Sequence, residues 1–568
     1  MTAVFDLASR IVDEGAAAHP IYATYEGVPG YDHLMSDWSP RAEDARHAQT
    51  LGWLAELDTL PIEDDHDRLA AAVIRERLGA QVATYEAREH LRSINVLGSP
   101  VQYVRSVFTV MASSTDEQWS SLASRLEAVP WSLQTLVEAY TAGIEAGVLP
   151  ARRQVLGAAH EAAVCAGVDE APDGSTASWF ALFVARYDGG DTELAARLAA
   201  AAGGAATAYA DLASWLRAVY APVAVEHDGV GRDRYVVMAR TYLGADIDPE
   251  ETYDWAWREL ADINRRMVEC AAQLYGGVTP QQAQARLDVD PDHTIADAEQ
   301  ARLWLQQVTD ETTASFNGRY FDIPEEMRTC EAQLAPIGSA AAPYYTGPSE
   351  DFSRPGRTWL PVIGEARFRT WWLLSVWHHE AVPGHHLQIA YAKLQREKLS
   401  RFQRMSGVPG HAEGWALYAE RLMDELGYYS DPADELGFLS NQAMRAVRVV
   451  VDIGLHLGLE IPADADPALL DAVAGASPGA VWDRELAREF LRVRALQTDG
   501  FASSEVDRYL GIPGQAICYK VGEREWLAAR EDARTVAGDD FDLKSWHMKA
   551  LALGSVGLAV LRQELAAS

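Results

Sequence analysis

HHEAVPGHHLQ, residues 378–388, places four histidines and one glutamate within eleven positions. Two histidines four apart share one face of a helix and can offer both imidazoles to a single metal ion. Here the fourth residue after His379 is Pro383. His385, six residues on, sits about 240° round an ideal helix; His386, seven on, regains the face but lies about 10.5 Å further along the axis. A straight helix therefore closes no site. Pro383 removes a backbone donor and Gly384 tolerates unusual backbone geometry, so a two-residue bulge is expected to carry His385 into the missing position. The reading is a kinked metal helix near 372–395, with His379 and His385 as ligands and Glu380 as general base. His386 is the competing ligand, and His378 points away from the shared face.

Six of the 15 histidines lie between 378 and 456, which favours a site over scattered surface residues. A catalytic zinc needs a third protein ligand and one open position. Glu413 opens the next helical stretch, 28 residues after His385, and is the expected third ligand. The alternative is an acid favoured by the start of a helix. Glu420, seven residues further, falls near the same face and could orient a ligand; His411 is a weaker ligand candidate. Imidazole and carboxylate donors favour zinc, one per chain.

The remaining composition narrows the class of protein. A chain of 568 residues with 48% hydrophobic residues suggests two or three lobes or one large core. A net charge of −34 argues against nucleic acid and against anionic lipid as partners. No run of 18 apolar residues occurs, and MTAVFDLASRIVDEGAAAHP lacks a signal-peptide pattern, so no membrane association is expected. Four widely spaced cysteines form no framework and fit a reducing cytoplasm.

Helical periodicity dominates, as in ARHAQTLGWLAELDTL and ELAARLAAAAGGAATAYADLASWL. Near 226 the pattern changes: EHDGVGRDRYVVMARTYLGADIDPEETYDWAWREL reads as a turn, a short β-like run, and a helix opened by DPEE. Residues 317–365 are rich in Pro, Gly and aromatics, too irregular for helix and suited to a functional loop. The expected organisation is an N-terminal helical lobe, 1–225, and a catalytic lobe, 226–568, mainly α with minor strand content.

HHEAVPGHHLQ followed by AEGWALYAE (412–420) resembles the bacterial family called domain of unknown function 885, as do DFSRPGRTW (351–359), RAVRVVVDIGLH (445–456) and GIPGQAICYKVG (511–522). The resemblance covers roughly 225–568. It implies kinship with the glutamate zincins, hence a zincin-like helical metallopeptidase with a cleft between helical lobes. In helical zincins a late tyrosine steadies the oxyanion, and Tyr519 is the expected counterpart. His456 is the other candidate donor.

Arg445, Arg448, Asp452 and His456 recur at helical spacing and form either a buried ion-pair network or a substrate face. Gln515 and Lys520 flank Tyr519, and Arg354 sits in the SRPGR loop; with the two arginines they are the expected substrate contacts. The function expected is a zinc-dependent hydrolase, a peptidase of short peptides, using metal-activated water and Glu380 as base. Arg445, Arg448 and Lys520 would read a C-terminal carboxylate in a carboxypeptidase-like manner. The alternatives are a zinc amidase or esterase acting on a non-peptide metabolite, and a non-catalytic zincin-fold binding protein.

Overall fold

The computed structural model describes residues 2–172, 174–336, 342–362 and 367–566. The chain is mainly helical and divides into two compact units. The first comprises 1–63, 78–229 and 510–512; the second comprises 64–77, 230–509 and 513–568. The expected cut at 225/226 lies four residues before the one at 229/230, and no single cut separates the units, because 64–77 and 510–512 each pack away from their sequence neighbours.

In the first unit the alanine-rich stretch forms the Thr192–Trp215 helix. Asp191 caps it by accepting from the Glu193 and Leu194 amides at 2.9 and 3.0 Å. Its buried stripe, Leu194, Leu198, Ala201, Ala205, Tyr209 and Leu212, packs on the Asp116–Glu127, Val129–Glu145 and Arg152–Ala166 helices. Small residues on that stripe let the backbones approach, and Phe108, Trp119, Phe180 and Phe183 fill the remaining core.

The second unit is organised around the Pro432–Leu457 helix, buried on every side from Leu436 to His456. A helix sealed all round must be surrounded by others. Pro249–Tyr275, Thr370–Glu380, Arg484–Arg494 and Cys518–Ala537 pack on it. One expectation fails here. RDRYVVMARTYL is not β-like but a helix, Arg232–Leu243, closed by Gly244 at φ 63°. Tyr235, Ala239 and Leu243 are its buried residues, a stripe at four-residue spacing that outweighs the local preference of Tyr-Val-Val for strand. The DPEE helix forms as read, with Asp248 accepting from the Glu251 amide at 3.1 Å.

The irregular 317–365 stretch holds a small sheet. Its central strand, Gly356–Leu360, runs parallel to Cys330–Leu334 and antiparallel to Tyr344–Thr346. The parts at 337–341 and 363–365 lie outside the described residues. A second pairing, Thr294–Ile295 with Phe368–Arg369, leads into the Thr370–Glu380 helix. Leu373 and Trp377 of that helix, with Ala381 just beyond it, share a core with Leu305, Ala332 and Leu360. The sheet thus backs the helix that carries His379.

Candidate metal centre

The Thr370–Glu380 helix stops abruptly. The Ala381 amide makes its last regular bond, to the Trp377 carbonyl at 2.8 Å. Pro383 has no amide hydrogen, and the Gly384 amide folds back to the His378 carbonyl at 3.0 Å. The next helix, His385–Leu394, begins at once. The expected two-residue bulge in one helix is therefore a four-residue break between two helices. Glycine is required at 384 for space: a Cβ there would stand 1.8 Å from the His379 carbonyl oxygen. The Trp415 indole donates to the Pro383 and Gly384 carbonyls at 3.0 and 3.1 Å, holding the turn from the Pro409–Glu425 helix.

The break brings His379, His385 and Glu413 together, with one ligand-type atom from each within 4.8 Å of the others. Glu413 Oε2 lies 3.3 Å from His379 Nε2 and 3.7 Å from His385 Nε2. Four donors placed tetrahedrally at 2.0–2.1 Å from zinc are themselves about 3.3 Å apart. Glu413 Oε2 is buried and without a hydrogen bond among the described residues, as is His385 Nδ1. A sealed carboxylate oxygen facing two imidazoles is a donor set that suits a cation.

Outer residues fix the first histidine. His379 Nδ1 donates to Glu420 Oε1 at 2.9 Å, leaving Nε2 for the cluster. Glu420 is fully buried, accepts from the Ser375 hydroxyl, and has the Arg445 guanidinium 3.8 Å away. Burial alone would lower the pKa of His379, but Glu413 and Glu420 together push it up to about 9. Burial would raise Glu413, yet the two histidines hold it far below the ordinary carboxylate range. The field at the centre therefore favours positive charge. Glu380 is buried beside it, and burial holds its carboxyl above the ordinary range.

The other expected residues are placed differently. His386 is turned to the sheet: Nε2 donates to the Met327 carbonyl at 2.7 Å, and Nδ1 accepts from Tyr345 Oη at 2.9 Å. His378 is bonded to Tyr429 at 3.1 Å and Thr312 at 3.4 Å, and His411 Nδ1 accepts from Gln388 at 3.2 Å. His456 is not with the cluster. It lies 11 residues beyond Arg445 on one helix, about 16 Å along the axis, and donates to the Tyr509 carbonyl at 2.9 Å. Its expected role at an oxyanion does not fit that position.

Of the stripe on the 432–457 helix, every member has an internal partner. Arg448 meets Glu505 at 2.8 Å and Tyr509 Oη at 3.1 Å, and Asp452 accepts from Tyr235 Oη at 2.6 Å and the Gly514 amide at 3.0 Å. The stripe is a buried polar network. Lys520 is sealed among Gln442, Glu259 and Glu523, out of reach of a substrate carboxylate. Arg354 donates within its own loop, to the Gly347 carbonyl at 2.8 Å, and Gln515 accepts from Arg508. Tyr519 does face the cluster side. Glu413 is the first cause of its raised pKa, ahead of burial, and no hydrogen bond engages its hydroxyl among the described residues. It is placed there because the Cys518–Ala537 helix presses on the Glu413 helix: a Cβ on Gly414 would stand 2.5 Å from the Gly522 carbonyl carbon.

Sequence reading missed Ser375, Trp415, Glu505 and Arg508. Ser375 is four residues before His379, so helical spacing could have found it. Arg508 is three residues after Glu505, a helical spacing as well, whereas Trp415 and Glu505 meet Gly384 and Arg448 across 31 and 57 residues, where periodicity carries no signal.

Fold and site together define a mainly helical protein with a buried cluster of two histidines and a carboxylate at a helix break. The chain belongs to the family described as bacterial protein of unknown function (DUF885), matched over residues 20–565, so the kinship extends well before 225. No curated protein matches it. A solved structure described as "the putative lipoprotein from Colwellia psychrerythraea" is 24% identical with a TM-score of 0.82, covering 99% of this chain and 98% of that one. Another, "a putative lipoprotein of unknown function from Shewanella oneidensis", is 17% identical with a TM-score of 0.76, covering 99% of each chain. Both share the fold.

Proposed function

We propose that the protein is a zinc-dependent hydrolase with a zincin-like centre, acting on an amide bond of short peptides. The observation that carries this is the convergence of His379 Nε2, His385 Nε2 and Glu413 Oε2 beside the buried Glu380. These three residues would hold the metal. Zinc bound there would supply Lewis-acid polarisation of a carbonyl and make water more acidic. Glu380, with a carboxyl raised by burial, accepts a proton from the attacking water and returns it to the leaving amine. The Tyr519 hydroxyl, free to donate, is the group suited to a developing oxyanion. Glu420 and Ser375 keep the His379 tautomer fixed.

The same groups would serve an amidase or esterase, and substrate profiling separates these. No helix is long and apolar enough to cross a membrane among the described residues. The four cysteines are free and buried, which supports a cytoplasmic location; the lipoprotein descriptions of the two similar structures support a membrane-surface one, and fractionation decides.

Elemental analysis after exhaustive dialysis is expected to find about one zinc per chain. Glu380→Gln should keep that metal and the fold while losing at least about 100-fold in peptide hydrolysis. Activity in a metal-free chain, or an unimpaired Glu380→Gln protein, would overturn the reading.

A further inference from the structure

We propose that Arg448, held with Arg508 on a single carboxylate, forms a subsite for a carboxylate of the substrate. The proposal rests on the hydrolase reading for bringing substrate here. Its test does not require turnover.

The argument starts from charge. Arg508 Nε and Nη2 grip Glu505 at 3.0 and 2.8 Å, and Arg448 Nη2 reaches the same carboxylate at 2.8 Å. Two guanidiniums thus share one acid, and the third neighbours, Tyr509 and Gln515, are neutral. Asp452 also interacts with Arg508, but burial raises its carboxyl to about 7, so below that pH one positive charge exceeds what Glu505 neutralises. Burying such a charge is costly unless an anion completes it. The rest of the chain is strongly acidic, at −34, so a local cationic wall is an exception within a repulsive field.

Donor accounting gives the direction. Arg448 Nε donates to Tyr509 and Nη2 to Glu505; Nη1 has no acceptor among the described residues. The guanidinium stacks on the Tyr519 ring with its carbon 4.6 Å from the centroid. Arg448 lies three residues beyond Arg445 on one helix, and Arg445 stands 3.8 Å from Glu420, the partner of His379, so this stack is about one helical turn from the groups that hold the metal cluster. Neither Arg448 nor Arg508 is sealed: their side chains keep 8% and 15% exposure, with Glu505 at 13%. Lys520, by contrast, is committed to Glu259 and Glu523, and Arg445 stands 3.8 Å from Glu420 and donates to the Asn441 carbonyl at 3.1 Å. Arg445 also leaves a donor unmet, its buried Nε, so what distinguishes Arg448 among the expected carboxylate readers is its unmet Nη1 beside a carboxylate shared with a second guanidinium.

A peptide C-terminus supplies the matching group, planar and singly negative. The test is calorimetric titration of the full chain in a Glu380→Gln background with N-acetyl-trialanine as the free acid and as the C-terminal amide. The acid should bind about 10- to 100-fold more tightly than the amide, the range of a charge-assisted hydrogen bond. Arg448→Gln should abolish that difference. Glu505→Gln should enlarge it, because removing the shared acid frees a second guanidinium. A purely structural role for the network predicts no gain from Glu505→Gln, and that variant keeps the test decisive if Arg448→Gln fails to fold. Equal affinity for acid and amide, no binding of either, or a preference that survives Arg448→Gln would overturn the subsite. Metal content and wild-type hydrolysis of the two peptides report separately on the hydrolase reading.

Discussion

Both nitrogens of His386 are bonded to protein, whereas Nε2 of His385 faces Glu413. The two adjacent histidines should therefore fail differently. His385→Ala is expected to lose the metal with little change in stability measured on the metal-free protein. His386→Ala should retain the metal more nearly, but leave the buried Tyr345 hydroxyl and Met327 carbonyl without their partner, costing about 1–3 kcal/mol. Metal titration and denaturant unfolding on both variants check this; equal metal loss would mean that His386 matters as a ligand. Glu420→Gln should weaken metal binding about 10- to 100-fold through His379, without touching the metal itself. At this scale the residue types were legible in the sequence: two histidines, an acid between them and a later acid. The choice between His385 and His386 was not, because helical arithmetic ends where the helix does. It depends on which ring the sheet captures, through Tyr345, 41 residues upstream of His386.

The break between the 370–380 and 385–394 helices sets the spacing of the two imidazoles, and Gly384 makes the break possible. Gly384→Ala would drive a methyl group into the His379 carbonyl, with the His378 carbonyl also only 2.5 Å from the new carbon. Both are backbone atoms, so the turn itself must open, and the overpacking should cost about 1–3 kcal/mol. The more telling effect is on geometry. Moving the turn displaces His385 relative to His379, so zinc affinity should fall although no ligand has changed. Unimpaired zinc binding in Gly384→Ala would show that the break has room to relax. Pro383-Gly384 announced an interruption in the sequence, but its size was misjudged as a bulge, since the fold-back of the Gly384 amide and the Trp415 clamp are tertiary. The same limit produced the misreading of 232–243. Tyr-Val-Val favours strand locally, and only the buried stripe of Tyr235, Ala239 and Leu243 against the surrounding helices decides for helix.

Across the whole molecule the sequence announced a helical chain with a change of character near 226, and periodicity explains why: long amphipathic stretches carry their own signature. The exchange of 64–77 and 510–512 between units depends on long-range packing and left no local trace. The buried Asp452 also ties distant segments, taking hydrogen bonds from Tyr235 and Gly514, and it links global stability to pH. Burial raises its pKa to about 7, well above the ordinary carboxylate range, against the lowering effect of those two donors and of Arg508. The native protein therefore keeps this proton up to about pH 7, while the unfolded chain releases it near pH 4. Between those values the native state binds more protons, so this contribution to stability is full below about pH 4, falls as pH rises, and is gone above about pH 7. From pH 5 to pH 8 the loss amounts to about 2–3 kcal/mol. Asp452→Asn keeps an oxygen for Tyr235 and Gly514 but carries no proton to release. Titrating groups away from Asp452 and its neighbours His456 and Arg508 act on both proteins alike, so the informative quantity is the difference between their stability profiles. Urea unfolding at pH 5 and pH 8 should show the wild type losing about 2–3 kcal/mol more than Asp452→Asn over that interval. Parallel profiles would mean that Asp452 is already ionised at pH 5, and that Tyr235 and Gly514 offset its burial fully.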